Sequence, residues 1–356
     1  MWKKILYMFV LLSLVASVAA PAFAVSENAN VCLETILVNE PDLEESGMDS
    51  PTPVTTAYIN IRNIRSGEYL YSNVLIIAQV TGTFSKVYYS IDLGTKYAMS
   101  RVGTTNRFRA TWNTAAFTAG SHNLYVGAVN SVGAVVGYSY VPVTVVRNYR
   151  WKLYYEIDYM SGHYPPSSVL NYMKNYWKGH AIQVSFWIDD VVTDPTPADG
   201  KITKSDFWQI EKKYNNVWKY DDRSYGGVSP KYTLREKWML YGTWAPSSTT
   251  GGYTYVLKSG GDVLAGNYIF IADSMIDKWE LTYSIPYEGG EEIVVCHEAG
   301  HSIGIAKLST TGSEVYDTDY YSVMSTMRIQ NAKYMASYWY YSKEYWATAN
   351  LGYYPY

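Results

Sequence analysis

From Val54 to Arg147 apolar and polar residues alternate with a period of two, β-branched residues are prominent and turn formers recur at short intervals. Phe108-Arg109-Ala110-Thr111-Trp112 and Leu124-Tyr125-Val126-Gly127-Ala128 each place every second apolar side chain on one face, and Val141-Pro142-Val143-Thr144-Val145 closes the run. Asn130-Ser131-Val132-Gly133 is a turn between two such strands. The pattern predicts an all-β sandwich over 54–147. The rhythm changes near Trp151. Trp151 to Met160 reads as a strand, and Pro165-Pro166-Ser167-Ser168 opens a helix whose apolar positions Val169, Met173, Tyr176 and Trp177 recur at helical spacing. Gln183 to Ile188 is the next strand, and Ser205 caps a short helix through Tyr214 that presents Phe207 and Ile210. Lys237 to Thr243 and Tyr268 to Ala272 are further strands. Glu291-Glu292-Ile293-Val294-Val295-Cys296 then puts two acids at a helix N-terminus ahead of an apolar run. A last helix is expected where Tyr334, Tyr338, Tyr341 and Tyr345 form one stripe and Met335, Trp339 and Trp346 the next.

The N-terminus follows a different logic. Met1-Trp2-Lys3-Lys4 is a short basic head, Ile5 to Ala20 is an apolar stretch, and Ala22-Phe23-Ala24 supplies a small-x-small cleavage site, so 1–24 reads as a secretory signal peptide. The stretch is short for a membrane span, and no basic stop-transfer cluster follows it. The expectation is a secreted or extracellular chain, with attachment to a cell surface left open and no span in the mature protein. Residues 25–53 carry Glu27, Glu34, Glu40, Asp42, Glu44, Glu45 and Asp49 without a Lys or Arg, as an acidic linker does.

Removing 24 residues leaves about 330, enough for two domains with sizeable cores. The 38 Tyr and 12 Trp, against 17% charged residues, suit extracellular surfaces, where rings pack while keeping a polar tip. A net charge of −3 with no basic stripe gives no footprint for nucleic acid. The two cysteines, Cys32 and Cys296, exclude a disulfide-dense scaffold. They could pair, or one could mask a metal, or both could be plain thiols.

One motif carries chemistry. In His297-Glu298-Ala299-Gly300-His301 a helix stacks residues i and i+4, so both imidazoles offer a nitrogen to one Zn²⁺, and Glu298 stands beside them to take a proton from water. The histidines would otherwise be core residues needing buried partners. The run extends to Ser302-Ile303-Gly304, and Tyr321-Ser322-Val323-Met324-Ser325 follows as a tight turn carrying a Met. These segments resemble the active-site helix and Met-turn of the metzincin metallopeptidases. The resemblance implies an α+β zinc peptidase domain over 148–356, Met324 beneath the metal without binding it, and a substrate backbone paired along the edge of Tyr268 to Ala272. The stretch 54–147 similarly resembles a cysteine-free prokaryotic immunoglobulin-like domain, whose expected role is a spacer or the holder of a cell-surface or matrix ligand.

The chain departs from the metzincin pattern at the third ligand. Three residues past Gly304 it has Lys307, and a protonated Lys cannot ligate zinc. No His follows His301. A hairpin through Ser309-Thr310-Thr311-Gly312, with Lys307 opposite Glu314, would neutralise that pair and return the chain under the metal at Asp317. Asp317 is therefore preferred, with Asp319 next and Glu314 third. A two-histidine site stays open, as does a site completed by His163 or His180. A Ca²⁺ reading of Asp189, Asp190, Asp194 and Asp199 ahead of Gly200 fails as an EF-hand loop, because Pro195 and Pro197 would occupy ligand positions. A looser calcium site or a solvated acidic loop remains. The expected function is a zinc endopeptidase acting on protein or peptide substrates through a metal-activated water, with Glu298 as general base. The alternative is a non-catalytic binding or adhesion protein whose peptidase domain has degenerated.

Overall fold

The computed structural model describes residues 56–196, 202–215, 236–243, 251–259, 262–286, 288–309, 314–325 and 339–351. The signal and linker segments, Cys32, Asp199, Gly200 and Tyr334 to Tyr338 lie outside them. Residues Pro53–Tyr356 form one compact unit. It is a mixed, sheet-rich fold with few helices. Among the described residues no helix is long and apolar enough to cross a membrane.

The first part contains β1 (Tyr58–Ile61), β2 (Glu68–Leu70), β3 (Asn73–Thr81), β4 (Lys86–Ile91), β5 (Tyr97–Ala98), β6 (Ser100–Arg101), β7 (Arg107–Asn113), β8 (Gly120–Val129) and β9 (Val135–Val145). They form two sheets, β1-β3-β7-β6 and β2-β9-β8-β4-β5. Alternate residues such as Val74, Ile76, Trp112, Leu124, Val126 and Val143 fill one core shared by both.

The second part contains β10 (Trp151–Met160), α1 (Ser167–Gly179), β11 (Ile182–Val192), α2 (Lys204–Tyr214), β12 (Glu236–Gly242), β13 (Gly252–Ser259), β14 (Asp262–Ala272), α3 (Asp273–Tyr283), α4 (Gly289–Ser302), β15 (Lys307–Leu308), β16 (Glu314–Val315) and α5 (Lys343–Trp346). Its sheet runs β11-β10-β12-β14-β13, parallel except for β13, which is antiparallel to β14. One face packs against α1 and α4 and the other buries Phe207 and Ile210 of α2. As expected for parallel strands covered on both faces, β12 is buried at every position.

Several sequence expectations need correction. Tyr268 to Ala272 is not an edge, since β14 is flanked by β12 and β13, and the strands at the two ends of the sheet order are β11 and β13. Asp189 and Asp190 lie on β11 rather than in a loop. Of the expected last helix, the described residues are helical only over Lys343–Trp346; Trp339 to Ser342 are not helical, and Tyr340 forms an isolated bridge with Ser322. Trp339, Tyr340 and Tyr341 are all buried in succession, which a single helix face cannot achieve. Ile77 and Val102 of the first part pack into the cluster built on α1, α4 and the second sheet, while the rest of its buried apolar residues form their own core.

Candidate metal centre

Helix α4 is buried almost throughout, from Gly289 to Gly300. Its first turn is capped from outside: the Glu280 carboxylate of α3 accepts Gly290 N–H at 2.8 Å and Glu288 N–H at 3.2 Å. Glu291 is also buried there. Burial, with the nearby Asp273 and Glu280 charges adding to it, pushes its carboxyl up to about 9. At the other end Gly304 takes the left-handed conformation at φ +87°, which a glycine tolerates best, and turns the chain so that the Ile305 carbonyl returns to the helix.

That return orients the first ligand candidate. His301 Nδ1 is 3.0 Å from the Ile305 carbonyl and His297 Nδ1 is 2.9 Å from the Val323 carbonyl. A carbonyl only accepts, so both Nδ1 atoms carry a proton, and in the neutral imidazoles both Nε2 atoms present lone pairs. Those two Nε2 atoms face each other at 3.1 Å. The Glu314 Oε1 atom lies 3.4 Å from His301 Nε2 and 3.9 Å from His297 Nε2, buried without a hydrogen-bond partner. Converging lone pairs and a buried carboxylate repel one another unless a proton or a metal cation sits among them. Two imidazole nitrogens on one tetrahedral zinc stand about 3.3 Å apart, given Zn–N near 2.0–2.1 Å, close to the observed separation. The donor set therefore fits a divalent ion such as zinc. Among the described residues this is the one group of three acids, histidines or cysteines whose ligand atoms lie within 4.8 Å of one another. Burial draws the His301 imidazolium down, but Glu314 and Glu298 more than offset it and raise its pKa.

Glu298 lies one residue along the helix, buried. Its Oε2 accepts a 2.6 Å hydrogen bond from Thr254 Oγ1 of β13, which also donates to the Glu298 carbonyl at 3.0 Å. The strand comes this close because Gly252 has no side chain: a Cβ there would fall 2.6 Å from Glu298 Cγ.

The hairpin explains why Glu314 reaches the histidines. Lys307 pairs with Val315, and Leu308 with Glu314, one residue away from the expected register. A one-residue slip exchanges the faces of a strand. Lys307 accordingly points to the Tyr345 ring, with Nζ 4.6 Å from its centroid, and does not neutralise Glu314.

The structure thus brings together His297, His301 and Glu314 but not Asp317. Asp317 is buried, accepting hydrogen bonds from Ser342 Oγ and, at 2.9 Å, from Asp319 N–H, and burial raises its pKa. Asp319 is held by two arginines and Tyr340 Oη. Met324 is fully buried in the cluster that also holds the apolar residues of α4, and its carbonyl accepts Asp317 N–H at 2.9 Å. His163 sits between Asp273 and Thr243, and His180 contacts Glu68, so neither upstream imidazole joins the site. Asp190 N–H donates to Asp158, and no calcium cluster forms among the described acids. Cys296 is a buried free thiol whose pKa burial raises. Sequence reasoning missed Thr254, the Glu280 cap and the arginines on Asp319.

No family model and no curated protein matches the chain. Among solved structures it is similar to metalloproteinase-II from Bacteroides fragilis, at 12% identity over 81% of this chain and 85% of that one, with a TM-score of 0.36. Part of it is similar to an endo-beta-1,4-mannanase from Thermotoga petrophila (16% identity, 28% of this chain, 21% of that chain, TM-score 0.23). Another partial likeness is to fibronectin(III)-like modules of CbhA from Clostridium thermocellum (17% identity, 26% of this chain, 48% of that chain, TM-score 0.22). The chain thus matches less than half the length of those two proteins. Likenesses this distant carry no argument about function, which rests on the site itself.

Proposed function

We propose that this chain is a secreted, zinc-dependent endopeptidase of metzincin type whose N-terminal sheets form an immunoglobulin-like sandwich. The observation that carries the reading is the pair of Nε2 atoms facing each other at 3.1 Å with the Glu314 oxygen 3.4 and 3.9 Å from them, and Glu298 one residue away along the helix. In this reading His297, His301 and Glu314 are the protein ligands. A bound divalent ion supplies Lewis acidity, lowering the pKa of water and polarising a peptide carbonyl.

The chain's own residues do the rest. The Glu298 carboxylate takes the proton of the attacking water and delivers it to the departing amine nitrogen. Thr254 orients that carboxylate from β13, so the base is fixed by the strand along which an extended substrate would pair. Val323 and Ile305 hold the two imidazoles in the tautomer that leaves Nε2 able to bind. Secretion rests on the signal-peptide pattern of 1–24.

The test is a casein zymogram of the purified mature protein. A lysis band that disappears with 1,10-phenanthroline and returns with added zinc is expected. Absence of lysis with zinc bound would favour the alternative, a binding or adhesion protein with a degenerate site.

A further inference from the structure

The segment that carries Glu314 is anchored outside the peptidase sheet. Between Glu314 and Met324 the chain loops around Asp319, whose side chain is completely buried. Arg62 Nε, just past β1, donates to Asp319 Oδ2 at 2.8 Å, and Arg107 Nη2, at the start of β7, donates to Oδ1 at 2.5 Å. The Arg107 guanidinium also lies over the Tyr321 ring at 5.2 Å and is steadied by Gln79 at 2.7 Å. Inside the loop, Asp319 N–H donates to Asp317, Ser322 N–H to the Asp319 carbonyl, and Asp317 N–H to the Met324 carbonyl. One end of this closed loop is Glu314, and the other carries the Val323 carbonyl that accepts from His297 Nδ1.

We propose that Arg62 and Arg107, carried by the N-terminal sheets, are positioning residues for the metal centre: through Asp319 they fix the loop that presents Glu314 and orients His297. The N-terminal part is then no spacer but a component of the peptidase site. The chemistry favours this arrangement because a charge buried at Asp319 must be matched. With both arginines in place the loop has one low-energy position, and without them it must shift to hydrate the carboxylate. A carbonyl or carboxylate displaced by such a shift no longer meets the ion, as partners behind a ligand normally set affinity by 10- to 100-fold.

This inference rests on the metal-site reading above, and the experiment separates the two. Zinc affinity is measured by competition with a chromophoric chelator, alongside thermal unfolding, for the full mature chain and for Arg107→Met, Asp319→Asn and Glu68→Gln. Glu68 pairs with His180 at 2.5 Å elsewhere between the same two parts and makes no hydrogen bond to a residue of the loop. Arg107→Met is expected to bind zinc about 10- to 100-fold more weakly, while Glu68→Gln lowers the melting temperature and changes zinc affinity less than about threefold. If Arg107→Met fails to fold, Asp319→Asn, which keeps the shape and can still accept from Tyr340, carries the test with an expected loss of about tenfold. Wild-type affinity in the loop variants, or an equal loss in Glu68→Gln, overturns the proposal and leaves the metal site standing. A wild-type chain that binds no zinc removes both.

Discussion

The two regions that build the centre are held in opposite ways. Helix α4 brings His297, Glu298 and His301 together by local periodicity. The returning segment from Glu314 to Met324 delivers Glu314 and the Val323 carbonyl, and its position is set by side chains more than 200 residues away in sequence, Arg62 and Arg107. A helix carries its geometry with it. A loop takes its geometry from whatever buries and charges its polar groups. The first region is therefore readable from five residues, and the second is not.

The comparison can be broken most severely on the helix. Glu298→Gln should retain zinc and lower kcat/KM for a peptide substrate by about 100- to 10,000-fold, since the amide keeps the Thr254 contact but accepts no proton. Undiminished turnover would take Glu298 out of the chemistry.

A second change tests the helix's other end. Because the Glu291 carboxyl holds its proton to about 9 in the fold against an ordinary value near 4.5, the unfolded chain releases that proton first as pH rises. Stability contributed by the protonated form is fully present below pH 4.5 and declines from there up to about pH 9, by about 1.4 kcal/mol per pH unit at most. Glu291→Gln removes this dependence, so it should raise the melting temperature at pH 8 by up to about 10 °C, at roughly 2 °C per kcal/mol, and leave it nearly unchanged at pH 4.5. Unfolding curves at the two pH values decide it, and a variant destabilised at pH 8 would contradict the assignment.

On the loop, smaller effects sharpen the contrast. Asp317→Asn keeps the contacts to Ser342 and Asp319, so zinc affinity in a chelator competition should fall by no more than about threefold, well short of the loss of a ligand. A drop of about 100-fold or more would restore Asp317 as the ligand. Lys307→Ala should leave zinc affinity unchanged and cost only its cation–π contact with Tyr345, about 0.5–1 kcal/mol, readable in denaturant unfolding.

The same contrast accounts for what the sequence disclosed. Strand β10 and the helix after Pro165-Pro166 were legible because their signals are local, as were the alternating strands around Phe108 and Leu124. Helix α3 was not, since among its eleven residues only Ile276 and Glu280 are buried and no apolar stripe marks it. Trp339 to Tyr341 imitated a helical stripe, yet their conformation comes from a parallel bridge between Ser322 and Tyr340 and from Val323 N–H donating to the Tyr340 carbonyl. The choice among Asp317, Asp319 and Glu314 turned on a register difference of one residue in a two-residue ladder, where neither propensity nor pattern discriminates. The arginine partners of Asp319 are long-range contacts without a spacing signature.

The central claim is that His297, His301 and Glu314 together hold one divalent ion. Zinc content by mass spectrometry after exhaustive dialysis tests it most directly, comparing the wild-type mature chain with Glu314→Ala. One zinc per wild-type chain and almost none in a folded Glu314→Ala is the predicted result. A wild-type chain without metal, or a Glu314→Ala chain that retains a full equivalent, would contradict it.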